Sequence, residues 1–301
     1  MNIETILHSI VALRASIPED AFTASGLGTV REGSGVVIGE NGLVLTIGYL
    51  ITEATQVWLT THDKRAVPGH VVAYDQETGF GLVQALGELK LPPLDLGASA
   101  KTEIGEPVVF ADGHGQYVEA NVVAKQEFAG YWEYLLDEAI FTAPAHPSWG
   151  GAALVGADGK LLGVGSLHLQ MSQGGEVADI NMAVPIDLLP PIMDDLLMRG
   201  QADRPPRPWL GVFSAESDGE VVVMSVAEGG PAAKAGMRRG DVISDVRDAA
   251  VEGLADFYRK LWHSGPPGAE VPIRIVRDGR ESWLRIKSAN RDSFLKKPML
   301  Q

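Results

Sequence analysis

Apolar residues recur along most of this 301-residue chain in runs of four or so, separated by glycine turns, which is the pattern of strands rather than of helices. Residues 35–38, 43–46, 57–60, 70–73 and 108–111 read as such strands, and Asn41-Gly42 predicts a two-residue hairpin turn between the first two. A second turn, Ala157-Asp158-Gly159-Lys160, leads into a strand over 161–165. Many short strands at this spacing indicate a sandwich or a barrel. Two segments break the pattern. Ile3, Ile6, Leu7, Ile10, Val11 and Leu13 recur at helical spacing and predict an amphipathic helix within residues 1–16, packed on the body or on a neighbouring subunit. Residues 186–199 predict a helix that closes the first unit.

That helix runs into Gln201-Ala202-Asp203-Arg204-Pro205-Pro206-Arg207-Pro208, where three prolines forbid its continuation and stiffen the connection. The boundary falls here: a first domain over 1–200, a proline-rich linker over 201–207, a second domain over 208–289 and a polar, loose tail over 290–301. Past the linker, strands are expected over 210–213 and 220–226. A short helix in Gly230-Pro231-Ala232-Ala233-Lys234-Ala235-Gly236 and a strand entry at Gly240-Asp241-Val242-Ile243 follow. Residues 255–263 carry Phe257, Leu261 and Trp262 on one side of a helix, ahead of closing strands over 273–276 and 282–286.

Length suits two domains, each with its own core, and an apolar content of 45% is that of a globular protein. No apolar run is long enough for a membrane-spanning helix. With no cysteine, disulfides, zinc-thiolate sites and a cysteine nucleophile are excluded. Up to Asp203 there are 9 Lys/Arg against 26 Asp/Glu, a net of −17; from Arg204 onward there are 16 against 13, a net of +3. So acidic a first half repels phosphate backbones, and no basic stripe interleaved with aromatics offsets it, which argues against nucleic acid as a partner. His62, Asp63 and His70 match no metal-ligand spacing, and neither metal nor cofactor is expected. The first residues carry Glu4 and His8 within their apolar stretch and no early Lys/Arg cluster. That is a poor secretory signal, so a cytoplasmic address is expected, with a periplasmic one the alternative if the chain has been trimmed at its start.

Gly33-Ser34-Gly35-Val36-Val37-Ile38 followed by Asn41-Gly42-Leu43-Val44-Leu45-Thr46 resembles the opening of the HtrA/Deg protease domain, where G-S-G-V-I-I and D-G-Y-I-L-T precede the catalytic histidine. Pro208-Trp209-Leu210-Gly211-Val212, then Gly230 to Gly236, then Arg239-Gly240-Asp241-Val242-Ile243 are similar to the PDZ landmarks Y-L-G-V, S-P-A-A-K-A-G and G-D-V-I, in the family's order. The resemblance covers roughly residues 3–288. It implies a mainly β fold: a trypsin-like double six-stranded β-barrel followed by one PDZ domain, in a family that commonly forms trimers.

The catalytic positions depart from the family. Its T-N-N-H-V stands here as Thr46-Ile47-Gly48-Tyr49-Leu50, placing Tyr49 where the general-base histidine belongs. A phenol, with a reference pKa near 10, holds its proton at neutral pH and cannot deprotonate a serine. T-D-L-A-V stands as Thr78-Gly79-Phe80-Gly81-Leu82, and Gly79 has no carboxylate to orient an imidazole. Anchored on the paired glycines, G-N-S-G-G-P-L stands as Pro147-Ser148-Trp149-Gly150-Gly151-Ala152-Ala153. Trp149 then replaces the nucleophile, and Pro147 replaces a glycine whose backbone N–H forms half of the oxyanion hole. One extra residue before Asp158-Gly159 leaves the alternative register, with Ser148 as nucleophile and His146 nearby.

The second half keeps what its resemblance requires. Trp209, Leu210, Gly211 and Val212 match the carboxylate-binding loop, whose successive N–H groups form a nest for the terminal carboxylate of a peptide. Helix 255–263 is the expected far wall of the groove, with Tyr258 and Leu261 lining the side-chain pocket and Phe257 in the core. The expected protein is therefore a proteolytically inactive HtrA/Deg homologue that binds peptides or protein C-termini. The alternatives are an active serine endopeptidase using Ser148 with a rearranged base, and a structural assembly protein with a blocked groove.

Overall fold

In a computed structural model, which describes residues 2–173 and 176–296, the chain divides into two compact units. One holds residues up to Gln126, Glu138–Asp203 and the end of the chain from Lys296; the other holds Glu127–Asp137 and Arg204–Leu295. The segment 127–137, inside the first domain on the sequence reading, thus packs with the second unit.

The first unit opens with helix α1 (Ile3–His8), six residues rather than the longer amphipathic helix expected. Ser9 ends it by donating its N–H to the Ile6 carbonyl, 2.9 Å away. The chain continues as strand β1 (Ile10–Ser16), in which Val11, Leu13 and Ala15 alternate inward. Ile10, Val11 and Leu13 fit either period, and β-branched residues between two partner strands settle on the pleated one. β1 pairs with both β2 (Val30–Val37) and β4 (Gln56–Thr60), and with β3 (Leu43–Ile47), β5 (Ala66–Tyr74) and β6 (Phe80–Ala85) closes a barrel in the order β1-β2-β3-β6-β5-β4. A short helix, α2 (Ala24–Leu27), bridges β1 and β2. The turn expected at Asn41-Gly42 is longer than two residues: Gly42 donates to the Gly39 carbonyl at 3.0 Å and Ile38 to the Leu43 carbonyl at 2.9 Å.

A second closed barrel runs β10-β11-β12-β9-β8-β7, built from β7 (Pro107–Ala111), β8 (Tyr117–Gly130), β9 (Tyr134–Ala143), β10 (Ala153–Gly156), β11 (Leu161–Gln173) and β12 (Glu176–Pro185). Val108, Phe110, Ile140, Leu154 and Leu162 fill its interior. Several strands exceed the four residues read from the sequence, because pairing on both sides carries the backbone past the apolar run. The closing helix α3 is Pro190–Arg199, starting later than expected. Pro190 and Pro191 occupy its first positions, where a missing N–H is harmless, and the preceding Ile186–Leu188 is a 3-10 turn.

The second unit is a sheet in the order β13-β14-β15-β17-β18, from β13 (Val212–Ser217), β14 (Glu220–Val226), β15 (Val242–Val246), β17 (Glu270–Arg277) and β18 (Arg280–Lys287), with β16 (Ala249–Ala250) on β15. Helix α4 (Pro231–Lys234) and helix α5 (Leu254–Trp262) complete it. Leu254, Phe257, Tyr258 and Leu261, spaced i, i+3, i+4 and i+7, put one face of α5 into a core with Val212, Val223, Ile243 and Ile273. The tail, expected to be loose, is held as far as Lys296: Phe294 packs its ring 4.9 Å from that of Trp209, and the Lys296 N–H donates to Glu53 at 2.8 Å. Residues 297–301 of that expected tail lie outside the described residues.

Candidate functional site

Tyr49 lies on the 3-10 turn (Gly48–Leu50) that follows β3, and Gly79 lies just before β6. Because Ile47 pairs with Phe80, these two turns sit side by side, and the Gly48 N–H donates to the Gly79 carbonyl at 2.7 Å. Asp75, four residues before Gly79, accepts from the N–H and hydroxyl of Thr78 at 2.8 and 2.7 Å. Tyr49 points its hydroxyl at the Ser166 carbonyl, to which it donates at 3.0 Å, and its oxygen lies against the backbone of Gly150. Burial pushes this phenol's pKa up, with a hydrogen bond from the Trp149 side chain opposing.

The loop carrying Ser148 and Trp149 is clamped from both sides. Ser34 donates its N–H to the Gly150 carbonyl at 2.8 Å, and Gly151 donates to the Gly165 carbonyl at 2.9 Å. Gly151 has φ 76°, and a Cβ there would lie 2.0 Å from the Ser34 carbonyl oxygen, so no other residue fits this close approach. Trp149 is half-buried, its ring 5.3 Å from that of His168, a neighbour the sequence reading did not single out. Ser148 is exposed, and its N–H donates to Nδ1 of His146 at 3.0 Å. His146 is itself buried: its N–H donates to Asn181 Oδ1 at 2.6 Å, its carbonyl accepts from Asn181 Nδ2 at 3.1 Å, and its ring stacks on Phe110. Its Nδ1 is thus engaged by a backbone amide rather than by a serine hydroxyl. Among the described residues no group of three or more His, Asp or Glu side chains could hold a metal ion.

In the second unit the segment 209–212 forms the expected kind of nest. Trp209 pairs with Ala289 through two 2.9 Å hydrogen bonds, and Gly211 takes φ 75°, which turns three successive N–H groups toward one point. That point is occupied by the carboxylate of Glu133. Glu133 Oε1 accepts from Gly211 at 2.7 Å, from Val212 at 3.0 Å and from Leu210 at 3.2 Å. Glu133 belongs to the tip of the β8–β9 hairpin, and Ser214 on β13 donates its N–H to the Tyr131 carbonyl of the same tip at 2.9 Å. Burial raises the Glu133 carboxyl to about 7, against the pull of the three N–H donors and of the Arg291 charge.

The two residues expected to line an open pocket are closed over. Tyr258 and Leu261 have no exposed surface. The Tyr258 hydroxyl donates to the Gly130 carbonyl at 2.7 Å and accepts the Glu133 N–H at 3.2 Å, while Leu135 and the half-buried Ala129 join Leu261, Phe257, Leu210 and Val212 in one apolar cluster. Burying a leucine contributes roughly 2 kcal/mol. Tyr258 therefore faces the hairpin tip, and Leu261 lies within the same buried cluster as Leu135. Glu133 and Tyr131 went unnoticed in the sequence, where no motif singles them out.

Residues 33–164 match the family model for a trypsin-like peptidase domain, and residues 208–287 match that for a PDZ domain. The chain is 26% identical over 90% of its length to a Pseudomonas fulva (strain 12-X) protein named "Probable periplasmic serine endoprotease DegP-like". It is 25% identical over 85% of its length to the "Serine protease Do-like HtrA" of Bacillus subtilis (strain 168). It spans 59% and 63% of the length of these two relatives. A solved structure of the HtrA-type protease AlgW with tripeptide shares the fold, with a TM-score of 0.55 at 21% identity over 99% of both chains. The periplasm, and not the cytoplasm first expected, is the compartment in the first relative's name. Among the described residues no helix is long and apolar enough to cross a membrane.

Proposed function

The chain belongs to the HtrA/Deg family, a trypsin-like peptidase domain followed by a PDZ domain, and we propose that within it this protein is a non-proteolytic member that binds peptides or protein C-termini. One observation carries the first half of that reading: in neither register does the nucleophile loop offer two free oxyanion donors. With Trp149 at the nucleophile position, the donor two residues earlier would be Pro147, which has no N–H. With Ser148 there, the two donors would be the N–H groups of Ser148 and His146, and these are committed to His146 Nδ1 and Asn181 Oδ1. Loss of one such donor costs about 10²–10³ in rate. The base is missing as well, since the Tyr49 phenol keeps its proton and donates a hydrogen bond to a backbone carbonyl.

The second half is supported by the backbone nest at Leu210, Gly211 and Val212, which turns three successive N–H groups onto the carboxyl of Glu133. A homo-oligomer, a trimer by family resemblance, and a periplasmic address complete the proposal. Purified protein should leave unfolded casein intact and should not react with a fluorophosphonate probe. Stoichiometric labelling of Ser148 would overturn the inactive reading.

A further inference from the structure

A nest built for a peptide's terminal carboxylate already holds one supplied by its own chain. The correspondence extends beyond the carboxylate. In strand addition the ligand's end sits in the nest, and the residue two positions back offers its carbonyl to the neighbouring strand. Glu133 is in the nest, and Tyr131, two positions back, takes the Ser214 N–H at 2.9 Å. Leu135 supplies the apolar side chain beside Leu210, Val212 and Phe257. Tyr258, on the wall of the groove, holds the tip by its hydroxyl on Gly130 and Glu133. At the base of the hairpin Arg259 reaches Glu127 and, at 2.8 Å, Asp137.

We propose that the tip of the β8–β9 hairpin is a built-in ligand that keeps the peptide site closed, so that a polypeptide C-terminus enters only by displacing Tyr131, Trp132 and Glu133. This rests on the peptide-binding reading above and adds its regulation. The built-in ligand is made to be displaced. Glu133 sits at φ 57°, a left-handed conformation that a non-glycine residue adopts at a cost, and it buries a carboxyl that, among the described residues, takes its hydrogen bonds from backbone N–H groups. The Arg259 pairs are exposed and screened by salt, and the isolated carboxylate of an incoming peptide can reach the same three N–H groups without the strained turn.

The test uses the full chain and a fluorescent peptide ending Ala-Tyr-Trp-Leu, whose last three residues copy the aromatic and apolar groups of the tip, in free-acid and amidated forms. If the site is closed nine-tenths of the time or more, the wild type binds the free acid at least about tenfold more weakly than Glu133→Ala, because apparent affinity scales with the open fraction. Arg259→Ala, a change on exposed surface, moves affinity the same way by a few fold, which keeps the test sound should Glu133→Ala fail to fold. Hydrogen exchange on the wild type without peptide supplies a ligand-independent measure, in which the Gly211 and Val212 amides should be protected. Equal affinities for wild type and Glu133→Ala, or freely exchanging amides, overturn the lock and leave the peptide site standing. Protected amides with no binding by any folded variant overturn the peptide-binding reading, and with it the role given to the hairpin.

Discussion

Raising the pH from about 4.5 to 8 should loosen the hairpin from the nest. The carboxyl of Glu133 ordinarily titrates at 4.5 and is raised to about 7 when docked. Burial is the largest cause, opposed by the N–H groups of Val212, Leu210 and Gly211 and by the charge of Arg291. The docked form therefore binds its proton more tightly than the open form. Its stability is fully present below the open-state value, falls as pH rises toward 7, and levels off above it. At about 1.4 kcal/mol per pH unit, the whole change amounts to roughly 3 kcal/mol, or about two orders of magnitude in the opening equilibrium. Tyr258, the other titratable group on Glu133, is itself pushed upward by burial and stays protonated across this range. Hydrogen exchange at Gly211 and Val212, corrected for the intrinsic pH dependence of exchange, reads the opening free energy directly. The wild type should lose about 3 kcal/mol between pH 4.5 and 7.5, and Glu133→Gln should be flat. A flat wild type would refute the reasoning. A slope of the opposite sign would mean that the three N–H donors outweigh the loss of water.

Two further outcomes follow from the same geometry. Tyr49→His, Gly79→Asp and Trp149→Ser together should yield little proteolysis, because Pro147 leaves the oxyanion hole a donor short by about 3 kcal/mol; adding Pro147→Gly should raise turnover of a chromogenic peptide, and robust activity in the triple variant would show that another donor substitutes. Gly211→Val places a Cβ within 2.9 Å of the Trp209 ring and 3.0 Å of the Ala227 Cβ at φ 75°, so the melting temperature of the second unit should fall in a calorimetric scan by the equivalent of about 1–3 kcal/mol, whereas an unchanged transition would remove the requirement for glycine there.

The parts of this molecule that were legible in the sequence are those fixed by local backbone chemistry. Glycines in left-handed conformations, prolines at helix starts and short alternating runs each act within a few residues, so the two-domain order, the mainly β class and the nest at 209–212 could be read directly. At the N-terminus the same locality misled: Ile10, Val11 and Leu13 satisfy both periods, and only the flanking strands β2 and β4 decide between them. The residue types at Tyr49, Gly79 and Trp149, on which the proposed loss of catalysis is argued, were legible, but their surroundings were not. The Ser166 carbonyl lies 117 positions from the hydroxyl it accepts.

The occupant of the nest lay furthest from view, since Glu133 and Gly211 are 78 positions apart and no local pattern marks a glutamate as a stand-in for a chain end. Yet its consequence is the sharper one for function. A site that recognises a carboxylate by backbone N–H groups alone cannot distinguish a side-chain carboxylate from a terminal one by charge; it must do so by what the adjoining chain can reach. The hairpin meets that condition with a left-handed residue at its tip, two carbonyls and one leucine. An external C-terminus meets it without the turn. On the proposed reading the balance between the two is set by the strain and the burial of a single glutamate, which makes position 133, outside the 208–287 PDZ match, the place where binding is most open to change.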